Sequence, residues 1–171
     1  MTMLSFLISS LKQNPIIVLT IITFIPLLEL RASIPAGIFV LGKESWLFVF
    51  VVCVIANILI GIIIFVLLDK IVFLIKKFKS IENLYNRYVE RTQKKLHPLV
   101  EKYGELAVAV FIGIPLPGTG VYSGALGAYV IGLNFKKFII ADIIGVLIAG
   151  ILVTIAILTG IEAFQFFIKR I

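Results

Sequence analysis

Glu29 and Arg31 are the only charges in an apolar stretch of 28 residues, 15–42, and they lie near its middle. A guanidinium at membrane depth is costly and is rarely left without a counter-charge. Its planar fork matches a phosphate or a carboxylate. Arg31 is therefore a candidate head-group ligand; the competing role is a structural bridge to Glu29, to Asp142 or to freed backbone carbonyls. On a regular helix residues two apart point away from each other, so a local Glu29–Arg31 pair requires broken backbone. Burial favours the neutral carboxyl and a nearby cation favours the charged one, which makes Glu29 a candidate for proton coupling or for charge pairing. Asp142, alone in the apolar stretch 138–160, is a candidate for the same roles, or else a helix cap beside Lys136 and Lys137.

A second polar feature has no charge. Residues 106–133 are 28 residues without Asp, Glu, Lys or Arg, and their centre reads Pro115-Leu116-Pro117-Gly118-Thr119-Gly120. Proline removes a backbone donor and disfavours helix in the residue before it, while glycine tolerates unusual dihedrals. A helix that restarts here would offer backbone N–H groups to an anion, with hydroxyls nearby. Pro117, Gly118, Thr119, Gly120, Tyr122 and Ser123 are thus candidate substrate contacts. The alternative is close helix packing through Gly120 and Gly124. Asn57 and Glu105 are secondary candidates. The usual role of Asn57 would be to hold two helices together. Glu105 would either guard the cytoplasmic entrance or serve as an ordinary helix-start carboxylate.

The elements that hold these residues follow from composition. Of 171 residues 61% are apolar and only 15% charged, against about 45–50% and about 25% in soluble domains. The mean hydropathy is +1.16. So small a chain has too little interior to hide that surface from water. One Cys and one His exclude a disulfide scaffold and a zinc module. No metal-ligand spacing, phosphate loop or Ser/His/Asp set is present, so neither a cofactor nor an enzyme is expected. Residues 46–68 and 138–160 are each 23 residues long, about 35 Å of helix, enough to cross about 30 Å of hydrocarbon. Residues 15–42 and 106–133 read instead as hairpins of two half-helices. Broken backbone at that depth must be covered by protein or line a wet cavity. Residues 70–102 carry nine Lys or Arg and three Glu on one chain of helical spacing. This basic amphipathic connector belongs on an anionic cytoplasmic surface, and nucleic acid is not favoured. His97 reads as a surface residue within it and Cys53 as an inert thiol within a span. The first eleven residues read as a short interfacial helix.

The order hairpin, span, connector, hairpin, span is an internal repeat. At an offset of 90, Gly37 meets Gly127, Val40 meets Val130, Gly42 meets Gly132 and Phe48 meets Phe138. The expected fold is an all-α integral membrane protein in one domain, 1–171. Its repeats, 1–69 and 103–171, are inverted, each a re-entrant hairpin plus a transmembrane helix. Four ordinary spans are the rival arrangement.

Glu29-Leu30-Arg31-Ala32-Ser33-Ile34-Pro35-Ala36-Gly37 resembles the E-L-R-x-x-I-P-x-G signature of the small multidrug export protein family, a distant branch of the DedA/VTT superfamily. Pro115–Gly120 followed by Ser123-Gly124-Ala125 looks like the second signature of that family. The resemblance implies paired re-entrant hairpins in the cytoplasmic cell membrane. For the superfamily it implies flipping or scrambling of lipids, notably polyprenyl-phosphate carriers, often with proton coupling; the family name implies drug export. The second hairpin departs from the DedA pattern in having neither acid nor arginine. The expected function is a flippase or transporter of an anionic amphipathic substrate, self-associating and proton-coupled, whose head group meets Arg31 and the 117–120 loop. A multidrug exporter and a scaffold that alters lipid packing are the alternatives.

Overall fold

The computed structural model describes residues 3–76, 103–116 and 118–168, and among them seven α-helices and no strand. They are α1 (Met3–Gln13), α2 (Pro15–Phe24), α3 (Glu29–Leu41), α4 (Trp46–Lys76), α5 (Tyr103–Gly113), α6 (Val121–Val130) and α7 (Phe135–Ile168), with a 3-10 turn at Lys43–Ser45. The helices form two compact units, residues 1–57 with 147–171, and residues 58–146. The connector falls largely outside the described residues; its first seven positions, 70–76, continue α4.

In the first unit, Pro15 opens α2 at a position where its missing donor costs nothing. Pro26 ends it: Ile25, held extended by the following ring, has ψ 122°. The break runs from Ile25 to Leu28, and α3 turns back along α2. Gly37 lies against Leu19, and the Thr23 and Ser33 hydroxyls meet at 2.7 Å. The expected hairpin of two short helices is present here. Pro35 is inside α3, where it removes the intrahelical donor for the Arg31 carbonyl. Val49 on α4 packs on Gly37, and Gly150 on α7 packs on Phe50 and Val54.

In the second unit, α5 and α6 flank the second break, and Gly124 on α6 receives the Ile112 side chain of α5. Gly145 on α7 lies against Ala109 and Ile112. Phe65 stacks on Phe138 at 4.3 Å, with Tyr129 and Phe135 each 6.0 Å away.

The order helix, break, helix, glycine, long helix occurs twice. Gly42 and Gly132, paired by the offset of 90, have φ of 93° and 79° and each ends a short helix. At Gly132 the end is a Schellman motif, with Leu133 N–H bonded to Ala128 O and Gly132 N–H to Tyr129 O. The pairing of Gly37 with Gly127 has no such content: Gly37 is pressed by two side chains, and Gly127 has open space.

Two apolar segments of 26 residues are long enough to cross a membrane: Lys43–Leu68, which joins the 3-10 turn to α4, and Phe135–Gly160 in α7. Leu47, Val51, Ile55, Leu59 and Ile63 recur every four residues along an exposed stripe of α4. The buried side chains of the chain include Thr23, Glu29, Ser33, Asn57, Asp142 and Thr154. Polar groups inside and aliphatic ones outside is the polarity of a helix surrounded by lipid.

Candidate functional site

The first break is built from strained backbone. Leu27 and Glu29 have φ of 72° and 48°, a left-handed conformation that costs a non-glycine residue about 1–2 kcal/mol. This conformation brings the two charges together: Arg31 Nη1 lies 3.7 Å from Glu29 Oε2. The local pair that a regular helix would forbid is therefore made, and broken backbone makes it. A separation of 3.7 Å exceeds the 2.7–2.9 Å of a charge-assisted hydrogen bond, so this contact is an ion pair. Glu29 is almost wholly buried, with 4% of its side chain exposed, whereas Arg31 keeps 13%.

Beneath the pair lies a polar knot that sequence reading missed. Thr23 donates to Leu19 O at 2.7 Å and meets Ser33 Oγ, and Ser33 Oγ lies 3.2 Å from Glu29 O. The Cys53 thiol of α4 lies against both hydroxyls. All three side chains are fully buried. The knot supplies donors to the Leu19 carbonyl within α2 and to the Glu29 carbonyl at the start of α3.

At the second break, two of the three candidate hydroxyls bond to the loop's own carbonyls. Thr119 Oγ1 lies 2.6 Å from Ile114 O and 2.8 Å from Leu116 O. Ser123 Oγ lies 2.6 Å from Gly118 O and 3.2 Å from Gly120 O. Each hydroxyl has one proton and two carbonyls to give it to. As donors to an anion, Thr119 and Ser123 are thus already committed to the loop itself. Gly118 takes φ 89°, and Gly120 is the extended N-cap of α6, on which Tyr122 occupies the first turn. Pro117 lies outside the described residues. Close packing by Gly124 is present alongside.

Asp142 is wholly buried and lies over Gly61 of α4: a carbon added there would sit 2.6 and 2.7 Å from its two carboxylate oxygens. The absence of a side chain at 61 makes room for the carboxylate. The alternative of Asp142 as a helix cap fails, because α7 starts two turns earlier at Phe135. The cap is Asn134, whose Oδ1 accepts from Lys137 N–H at 2.9 Å. An Asn directly before an apolar helix was the readable signal for it. Glu105, in the first turn of α5, pairs with Lys137 at 3.6 Å, and both are about 40% exposed. Such a pair is worth little. Asn57 is buried on α4, and its Oδ1 has no hydrogen-bond partner.

Glu29 and Arg31 are thus brought together, as are residues 118–123 within their own loop. Glu29, Arg31 and Asn57 belong to the first unit; the loop, Glu105 and Asp142 belong to the second.

No curated protein and no solved structure matches the chain. A family model described as "Putative small multi-drug export protein" matches residues 29–152, from Glu29 at the first break to well inside α7. Those 152 − 28 = 124 residues are most of the 171. The chain belongs to this small multi-drug export family, and its two long apolar helices fit the membrane location that an export protein requires.

Proposed function

We propose that the chain is a transporter of the cytoplasmic cell membrane that moves an amphipathic substrate with an anionic head group, of the polyprenyl-phosphate class. It acts without enzymatic chemistry and as a homo-oligomer, whose copies cover broken backbone that lipid cannot satisfy. The hairpins are re-entrant and the second repeat is inverted, a recurrent plan of transporters. The observation that carries the reading is the loose Glu29–Arg31 pair at a strained break. A phosphate matches the planar guanidinium fork and competes for it with the Glu29 carboxylate. An arriving phosphate takes Arg31 from Glu29, and the released carboxylate binds a proton. Substrate and proton then bind cooperatively, and the coupling is reciprocal by linkage. The lipid class itself rests on the DedA-like motifs around Glu29 and Pro115.

The family's export name favours a second reading, in which a cationic drug binds the Glu29 carboxylate. Proteoliposomes holding the purified chain separate the readings. Labelled polyprenyl phosphate should cross between leaflets, and a quaternary ammonium dye should not accumulate. Arg31→Ala should slow lipid movement about 10- to 100-fold, the range of lost hydrogen bonds to a charged group. Arg31→Lys should recover little of it, since the ammonium lacks the fork. Full activity of Arg31→Ala with the lipid refutes the head-group role. Dye transport that depends on Glu29 establishes the second reading. Movement of neither substrate leaves the membrane scaffold.

A further inference from the structure

Asn57 is 1% exposed, and its amide oxygen is buried without a donor. A buried acceptor left unmade costs about 1–3 kcal/mol. If Asn57 only joined helices, that oxygen would be in use. Its place along α4 relative to α3 follows from two contacts within the first unit. Gly37 of α3 meets Val49 of α4, and one turn further along both helices Ser33 meets Cys53. The next turn on each brings Glu29 level with Asn57. The open acceptor therefore lies at the depth of the Glu29–Arg31 pair, about halfway along the segment Lys43–Leu68.

We propose that Asn57 contacts the substrate, its amide oxygen accepting a hydrogen bond from a donor on the same head group that Arg31 binds. The inference rests on the anionic reading above and narrows it. The substrate is a lipid phosphate monoester taken up as its singly charged form, in which one oxygen still carries a proton. Arg31 reads the charge and Asn57 reads the P–OH. A phosphodiester has the same charge and no donor, so it leaves the Asn57 oxygen as it was. An apolar chain of the substrate suits the aliphatic surroundings of this depth, so a lipid is favoured over free phosphate.

Farnesyl monophosphate and its methyl ester test this by equilibrium binding to the full chain in detergent. At about pH 5 both carry one negative charge, because the second phosphate ionisation lies near 6. The wild type should bind the monoester about tenfold more tightly or better, the worth of one hydrogen bond involving a charged group. Asn57→Leu, close in size, should bind both esters alike. Its melting temperature should match or exceed the wild type, because an unmet buried acceptor has been removed. Asn57→Ala, which makes room for the methyl group, should also bind both alike, and it keeps the test open should the leucine variant fold poorly. Discrimination that survives in Asn57→Leu is steric and overturns the proposal. So does a wild type that binds both esters equally, which leaves the Arg31 reading standing. Competition by inorganic phosphate as strong as that of farnesyl phosphate overturns the lipid assignment. A wild type that binds neither ester refutes the anionic reading itself.

Discussion

Gly37→Ala should destabilise the first unit, and Val49→Ala should rescue it. The added methyl would sit 2.6 and 2.9 Å from the two γ-carbons of Val49 and 3.0 Å from a δ-carbon of Leu19. Carbon atoms in contact prefer about 3.5–4.0 Å, so about 1 Å must be found. Val49 cannot supply it by rotating, because a β-branched side chain in a helix has one strongly preferred rotamer. Val49 and Leu19 are both fully buried, with no space to retreat into. Helix α3 must therefore move off α4, which stretches the Thr23–Ser33 contact of 2.7 Å. Overpacking of this kind costs about 1–3 kcal/mol.

Val49→Ala alone leaves a cavity and costs about 1–2 kcal/mol, toward the lower end of large-to-small core changes. In the double variant the new methyl occupies the space of the lost γ-carbons. The pair should then be more stable than the sum of the two losses by about 1–3 kcal/mol, the coupling of residues in direct contact. Reversible unfolding of the four proteins in detergent gives the cycle. Strict additivity, or a Gly37→Ala protein as stable as the parent, would show that α3 and α4 do not meet at this register. The level of Asn57 with Glu29 would then lose its basis.

Two further outcomes are expected. Leu27 has φ 72° and is 71% exposed, so Leu27→Gly should be more stable than Leu27→Ala by about 1 kcal/mol, the reverse of their order in a helix interior; the ordinary order in an unfolding assay would place Leu27 outside the left-handed region. In the inverted arrangement a cysteine replacing Lys136 should label only from the cytoplasm, with one replacing Lys43 labelling from outside. The buried native Cys53 stays silent in that experiment, and labelling of position 136 only from outside would establish four spans.

The breaks and the charge pair were legible in the sequence because their causes are local. Pro26 acts on Ile25 next to it, and the need for broken backbone between Glu29 and Arg31 follows from two residues of separation. Gly42 and Gly132 were legible for the same reason, since each ends the helix it follows. The knot of Thr23, Ser33 and Cys53 depends on the register of three helices, which no local pattern encodes. The fit of Asp142 to Gly61 likewise joins residues 81 positions apart. There a glycine within an apolar span was the available signal, and what it faced was not. Asn134 is a different case: an Asn directly before an apolar stretch is a local cap signal, and α7 begins at Phe135, three residues ahead of the uninterrupted apolar run at Phe138.

The hydroxyls of the second break explain which polar groups can address a substrate. Pro115 and the turn at Gly118 free carbonyls that helix would have satisfied, and in an apolar setting each needs a donor from the protein. Thr119 and Ser123 supply those donors from within five residues. Thr23 and Thr159 donate likewise to Leu19 O and Ile155 O inside their own helices, each over one helical turn. These four hydroxyls are consumed by backbone within five residues of them. Charges and amides are longer or carry more atoms than one carbonyl can occupy, so they are not consumed in this way. Glu29 and Arg31 pair across 3.7 Å, and the Asn57 oxygen has no hydrogen-bond partner. On the proposed reading, recognition of a head group therefore falls to the first break, whose strained backbone holds its two charges together, while Thr119 and Ser123 serve the carbonyls of the second break.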